Sequence, residues 1–366
     1  MNTALYLKLI IETILAITIT YLVQFPFRKI RNRFVLFILF LAKVALTLYL
    51  GLCLIAFDPV IIWKHEYPFA ALYLALIPDI ITDIICFLLS FFRKENEKLR
   101  IILSVALTLL FMIYNILNMQ MILPNHHEIT SNKLKNEYRF VFFADLHYGS
   151  SQSRNTVDKA LNEIKELKPD YLLLGGDITD ENTTKEEMEY IYHEIGSLDI
   201  PVVFIYGNHD RQDRGMSIYG NIQYTEQELK EAITANGITI LYESFLEIND
   251  DLILLGREDP SHPDQRKAVK DLPSFPYDHF ILVLDHTPYQ NDDIIELKAD
   301  LQLSGHTHAA QFFPIKTIYK ILKLNVLGDY WIGDTHLYVS PGISGWALPL
   351  RSEAHSQYEV IDLIPE

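Results

Sequence analysis

The sequence predicts a two-part protein, with apolar helices of membrane-spanning length in front and an acidic α/β domain behind. Three observations predict it. Residues 1–130 carry 11 Lys and Arg against 8 Asp and Glu, a net of +3, whereas residues 131–366 carry 20 against 39, a net of −19. The hydrophobic content of 49% is concentrated in the front part, and mean hydropathy over the whole chain is positive. From about residue 138 the pattern turns into short β-branched and aromatic runs separated by helical segments, the alternation of an α/β fold. A length of 366 residues accommodates two such units. The charge of the rear part argues against nonspecific nucleic-acid binding, because a polyanion would be repelled. Both cysteines, Cys53 and Cys86, fall in the apolar front, so the acidic part has no disulfide framework.

Four apolar stretches, roughly 4–24, 34–57, 68–92 and 101–123, each reach the ~20 residues that a ~30 Å hydrocarbon layer requires. The first has no basic segment before it and no small-residue cleavage site after it, which disfavours a cleaved signal peptide. The short loops set the orientation. Arg28, Lys29, Arg31 and Arg33 mark the first loop and Arg93, Lys94, Lys98 and Arg100 the third, against Lys64 alone in the second. Loops one and three are therefore expected in the cytoplasm, and the rear domain outside it, with Lys133, Lys135 and Arg139 as the opposing charges. Lys8, Glu12, Lys43, Asp79 and Asp83 lie inside the stretches and should face one another, either as helix-packing contacts or as an ion path. Lys43 and Asp83 have matched depths, and Asp79 lies one turn from Asp83.

In the rear part, five apolar runs end in polar clusters. Tyr138–Ala144 leads into Asp145-Leu146-His147, Tyr171–Leu174 into Gly175-Gly176-Asp177, and Val202–Tyr206 into Gly207-Asn208-His209-Asp210. Phe280–Leu284 leads into Asp285-His286, and Leu301–Leu303 into Ser304-Gly305-His306-Thr307-His308. An amphipathic helix is expected over 154–167, closed by Lys168-Pro169, and another from Thr225, with Glu228 completing a capping box and Gly237 as the stop. Ligands of α/β folds gather at the carboxyl ends of strands, where all five clusters fall. Asp145, His147, Asp177, Asn208, His286, His306 and His308 offer oxygen and imidazole donors without a thiolate, enough for two divalent ions if one carboxylate bridges them. Mixed N/O ligation suits Mn, Fe or Zn better than Ca or Mg. Any single cluster is an ordinary loop or cap; the five together, each after a predicted strand, point to a metal centre.

These five blocks resemble the calcineurin-like metallophosphoesterase superfamily over about 138–365. Gln311 and the strand and turn Tyr338-Val339-Ser340-Pro341-Gly342 resemble its bacterial membrane-associated branch, with Ala309-Ala310 where that branch often has two glycines. The resemblance implies an α+β sandwich over 138–366; a linker at 126–137 is expected to join it to the four transmembrane helices read within 1–125. The resemblance also implies one metal on Asp145, His147 and His308, a second on Asn208, His286 and His306, and Asp177 between them. His209 would be the general acid over the phosphoryl group, with Asp210 orienting it, and a metal-bridging hydroxide would attack.

The expected function is therefore a membrane-anchored two-metal phosphohydrolase, its substrate a phosphoester that could be lipid-linked. A lipid- or nucleotide-linked pyrophosphatase is the alternative enzyme, and an inactive membrane sensor or scaffold the alternative outside catalysis. A transporter is disfavoured by the few spans and the lack of an inverted repeat. The segment Phe312–Leu324 is apolar, with Lys316, Lys320 and Lys323 at helical spacing, and reads as a helix lying in a lipid interface or packed on the domain.

Overall fold

The computed structural model describes residues 33–55, 66–91, 96–212 and 222–366, together with Ile11, Ile14, Leu15, Ile17 and Thr18. They fall into two compact units, Met1–Asn118 with Phe312–Thr317, and Met119–Gln311 with Ile318–Glu366.

Three helices of the first unit are long and apolar enough to cross a membrane: α1 (Arg33–Ile55), α2 (Glu66–Leu89) and α3 (Glu97–Gln120). Three such helices, not four, are found among the described residues. The first expected stretch, 4–24, lies largely outside them, as do Lys8, Glu12 and most of the loop charges. Within it, Thr18 Oγ1 donates to Ile14 O at 2.8 Å, and Ile17 packs on Ala71 and Ala75 of α2. Of the charges within the expected stretches, the three described ones, Lys43, Asp79 and Asp83, meet as expected. Lys43 Nζ of α1 lies 2.6 Å from Asp79 Oδ2 and also pairs with Asp83, both on α2, while Arg100 of α3 takes the second Asp83 oxygen. Ser104 Oγ donates to Asp79 Oδ1 at 3.3 Å. Two cations thus answer two carboxylates across three helices, which suits the helix-packing role. Phe312–Thr317 packs within this unit: Tyr73 Oη donates to the Phe313 carbonyl at 2.6 Å, and the Phe312 and Tyr73 ring centroids are 5.5 Å apart.

The second unit is built on two mixed six-stranded sheets. One runs β1 (Ile122–Ser131), β12 (Ser356–Pro365), β2 (Tyr138–Phe143), β3 (Tyr171–Leu174), β4 (Val202–Phe204) and β5 (Thr239–Ile240). The other runs β10 (Gly328–Ile332), β11 (Thr335–Val339), β9 (Leu301–Ser304), β8 (Phe280–Leu284), β7 (Leu252–Gly256) and β6 (Ser244–Ile248). Strand period two sorts the side chains. Phe140 and Phe142 of β2 share one cluster with Leu252, Leu254, Leu282 and Leu284 of the second sheet. Val141 and Phe143 point the other way, under α4 (Arg154–Glu166), α5 (Lys185–Gly196) and α6 (Glu226–Ala235). Ile253, Leu255, Ile281 and Val283 face α7 (Asn291–Leu297) and Phe275. Strands buried on both faces are continuous apolar runs, which is why they stood out in the sequence.

The expected helices begin and end where their caps place them. Ser153 caps α4, and Thr225 and Glu228 form the box at α6. α5 carries an equivalent box from Thr184 and Glu187. The stretch 126–137, read as a linker, contains most of β1, which pairs in parallel with all ten residues of β12. The basic apolar segment forms α8 (Ile315–Ile321).

Candidate metal centre

Each polar cluster follows a strand and turns sharply. Asp145, His147, Asp177, His306 and His308 all have left-handed φ, between 44° and 71°. Such backbone costs non-glycine residues about 1–3 kcal/mol each, and it clusters where function demands a particular side-chain direction. The neighbouring glycines make room: a Cβ on Gly207 would overlap Asp177 Oδ1, and one on Gly305 would overlap Asp145 Oδ2.

The turns assemble two donor groups, Asp145 with His147 and His308, and Asp177 with His286 and His306, each with its donor atoms within 4.8 Å of one another. His147 Nε2 and His308 Nε2 lie 3.3 Å apart, and Asp145 Oδ1 is 3.5 Å from His308 Nε2. Asp177 Oδ2 reaches toward both groups, 3.1 Å from His286 Nε2 and 3.8 Å from His147 Nε2. Asn208 Oδ1 stands 2.8 Å from His306 Nδ1, so all seven ligating candidates converge. Outer contacts aim the rings, as they commonly do at metal sites. His286 Nδ1 donates to the Gly175 carbonyl at 2.8 Å, which turns Nε2 toward Asp177. His147 Nδ1 faces Asp180 Oδ2 at 3.3 Å.

The donor set fits divalent ions. Burial holds His308 well below the usual imidazole range and brings His306 down to about 4, so both are neutral and able to ligate. Burial opposes the charged forms of His286 and His147 too, but Asp177 acting on the first and Asp180 on the second hold them above it. The field that draws protons there also favours a cation. Burial would raise Asp177, yet His286, His209 and His147 keep it well below the carboxylate range.

His209, expected over the phosphoryl group, has a different partner from the one expected. Asp210 does not touch the His209 ring. Its carboxylate is turned under the strand ends, accepting amides of Gly207 at 2.7 Å, Asp177 at 2.9 Å, Ile178 at 2.9 Å and Thr179 at 3.1 Å. Four converging backbone donors in a buried turn outcompete one imidazole, so Asp210 braces the loops. The ring contact is made by Glu181, with Oε1 2.6 Å from His209 Nδ1. Burial alone would lower His209, but Glu181 and then Asp177 push it up to about 9. The sequence reading missed Asp180 and Glu181. Their signal was two adjacent carboxylates just past the Gly-Gly-Asp strand end.

Gln311, singled out by its position after His308, has a definite task. Buried, it accepts from Trp346 N through Oε1 at 3.0 Å. Its Nε2 donates to the carbonyls of Trp346, Leu348 and Leu350 at 3.2, 3.3 and 2.9 Å. Arg351, fully buried, donates to the carbonyls of Pro341, Ser344 and His355 at 2.6–2.8 Å. Together they fix the loop 341–351 beside the centre.

Residues 138–310 match the sequence profile of the calcineurin-like phosphoesterase family. Among similar proteins, an uncharacterised metallophosphoesterase of Helicobacter pylori J99 is 28% identical over 246 residues, 64% of this chain and 62% of its own length. A zebrafish transmembrane protein with a metallophosphoesterase domain is 25% identical over 61% of this chain and 52% of its own. A phosphodiesterase of Escherichia coli K12, YaeI, is 25% identical over 62% of this chain and 82% of its own. The chain thus spans about three-fifths of the Helicobacter relative and half of the zebrafish one. The matched residues 138–310 include every strand-end cluster that builds the centre, so it is this stretch that is similar to the calcineurin-like phosphoesterase family.

Proposed function

We propose that this chain is a membrane-anchored, two-metal phosphohydrolase acting on a phosphoester with a lipid portion. One observation carries the reading: two N/O donor groups meet at a single carboxylate, Asp177, whose Oδ2 lies within 4 Å of a histidine from each. Asp145, His147 and His308 would hold one ion, and His286, His306 and Asn208 the other. Manganese, iron or zinc suits these donors. Bound there, the ions would supply an acidified water and neutralise charge on the phosphoryl oxygens. The chain's own part is proton delivery. Glu181 accepts from Nδ1 of His209 and so fixes the ring with Nε2 on the opposite edge. The imidazolium favoured by Glu181 and Asp177 can hand its Nε2 proton to the leaving oxygen. Similarity to YaeI, named a phosphodiesterase, favours the phosphodiester among the bonds such a site could cleave.

The lipid portion is argued from α8. Its early residues belong with the apolar helices, whereas Ile321 and Leu322 at its end are 74% and 62% exposed beside Lys320 and Lys323. An apolar, basic surface of this kind suits a bilayer interface. The stretch 4–24 would supply a fourth span, and the four-to-one basic bias of the first two loops supports a catalytic domain outside the cytoplasm.

Metal analysis of the purified protein and hydrolysis of bis-para-nitrophenyl phosphate, wild type against Asp177→Asn, tests the centre. A metal-free, inactive wild type would sink the reading. Replacing Ile318, Ile321 and Leu322 by Ser should lower turnover of lipid phosphodiesters in vesicles and spare the soluble diester; equal losses would remove the lipid claim. An extracytoplasmic reporter fused after Glu366 should be active, and silence with a cytoplasmic reporter lit would reverse the topology.

A further inference from the structure

The centre has an aromatic wall that the metal chemistry does not require. The Trp346 ring centroid lies 5.8 Å from that of His209, inclined at 36°. The placement is built. Gln311 binds both the amide and the carbonyl of Trp346, and holds two further carbonyls of the same loop. Arg351 and His308 Nδ1 converge on the Ser344 carbonyl at 2.8 and 3.4 Å, tying the loop to a candidate metal ligand. Ala347, next to the tryptophan, holds left-handed φ at 59°, a conformation that a loosely held alanine would leave. A loop fixed at so many points presents a half-buried indole beside the imidazole.

In phosphoester hydrolysis a water oxygen bonds to phosphorus, the bond from phosphorus to the leaving oxygen breaks, and that oxygen takes a proton. The Trp346 ring stands beside the His209 ring, so a group departing on that side lies against the indole. We propose that Trp346 is a specificity-determining residue that favours an apolar leaving group, flat or chain-like, over a small hydroxylated one. This rests on the phosphoester reading and deepens it by naming the chemistry of the departing half. An indole gains from apolar area and from ring contact, neither of which a glyceryl or methyl group supplies in quantity.

The test uses the full-length, metal-loaded protein in detergent and two phosphonates of equal charge. Calorimetric binding of phenylphosphonate should weaken about tenfold in Trp346→Ala, the size of one lost aromatic contact, while methylphosphonate changes less than about twofold. Trp346→Phe should recover most of the phenyl preference, and Trp346→Leu gives the same comparison should the alanine variant not fold. The kcat/KM ratio for para-nitrophenyl over glyceryl phosphodiesters should fall in parallel. Equal losses for both phosphonates, or none, would overturn the assignment. A wild type that binds neither phosphonate would instead overturn the phosphoester reading beneath it.

Discussion

Two clusters of charged side chains are held away from water in this molecule, and they are satisfied in opposite ways. Between the apolar helices, Lys43 and Arg100 answer Asp79 and Asp83, so each charge has its opposite within reach. At the strand ends, histidines crowd around shared carboxylates: two imidazole nitrogens stand 3.3 Å apart, and Asp177 Oδ2 lies within 4 Å of both His286 and His147. The backbone differs in the same sense. Among the described residues, every non-glycine left-handed φ lies outside the helical unit, and many sit at the centre. The first cluster pairs cation with carboxylate across helices; the second gathers several donors of one kind around shared carboxylates on strained turns. Crowding of like donors separates a candidate binding site from an internal ion pair more sharply than charge or burial does.

The largest expected effect is at the carboxylate that the donors share. Asp177→Ala should lose metal in elemental analysis and lower phosphodiester turnover by more than about 10³-fold, since it removes the carboxylate common to both donor groups. His209→Ala should keep the metal and lower turnover by about 10²–10⁴-fold, the usual span for one general acid. Metal loss in that variant would mean that His209 is a ligand. Glu181→Gln should be milder, about 10–100-fold in kcat with metal content unchanged, as expected of a residue acting through the imidazole. If Asp210→Asn matches that pattern with no loss of thermal stability, the partner assignment reverses.

The helical cluster should behave differently. Lys43→Met leaves Asp79 without its cation and should destabilise the detergent-solubilised protein by about 3–5 kcal/mol, yet Lys43→Met with Asp79→Leu should regain much of this. No paired apolar replacement should rescue the metal centre. A double variant no more stable than the single one would mean that these charges do more than pair. The smallest effect is expected at Ala309 and Ala310, with φ of 50° and 60°. Replacing either by Gly relieves left-handed strain against the lost chain restriction, a net gain of at most about 1 kcal/mol in thermal unfolding.

How much of this was legible follows from what each feature depends on. The core strands were visible because strands buried on both faces are unbroken apolar runs; Tyr171–Leu174 and Phe280–Leu284 appear with those bounds in the structure. The seven donors were visible because each follows such a run. β1 was not, since its exposed and half-buried residues alternate without an apolar run and its partner lies more than 200 residues away. α5 was overlooked although Thr184 and Glu187 spell out its cap. The exchange of roles between Asp210 and Glu181 was illegible for another reason. Which carboxylate reaches a ring depends on where the amides of two loops converge, and one sequence carries no trace of that.

β1 has a practical consequence for anyone preparing the catalytic unit alone. The family match starts at Tyr138, but a fragment cut there would strip β12 of a ten-residue parallel neighbour and expose a long, unprotected strand edge. Bare edges of that kind recruit other chains, so such a fragment should precipitate or form soluble oligomers. Met119, whose carbonyl accepts from Gln152 Nε2 at 2.6 Å and Ser356 Oγ at 3.0 Å, marks the more natural place to begin.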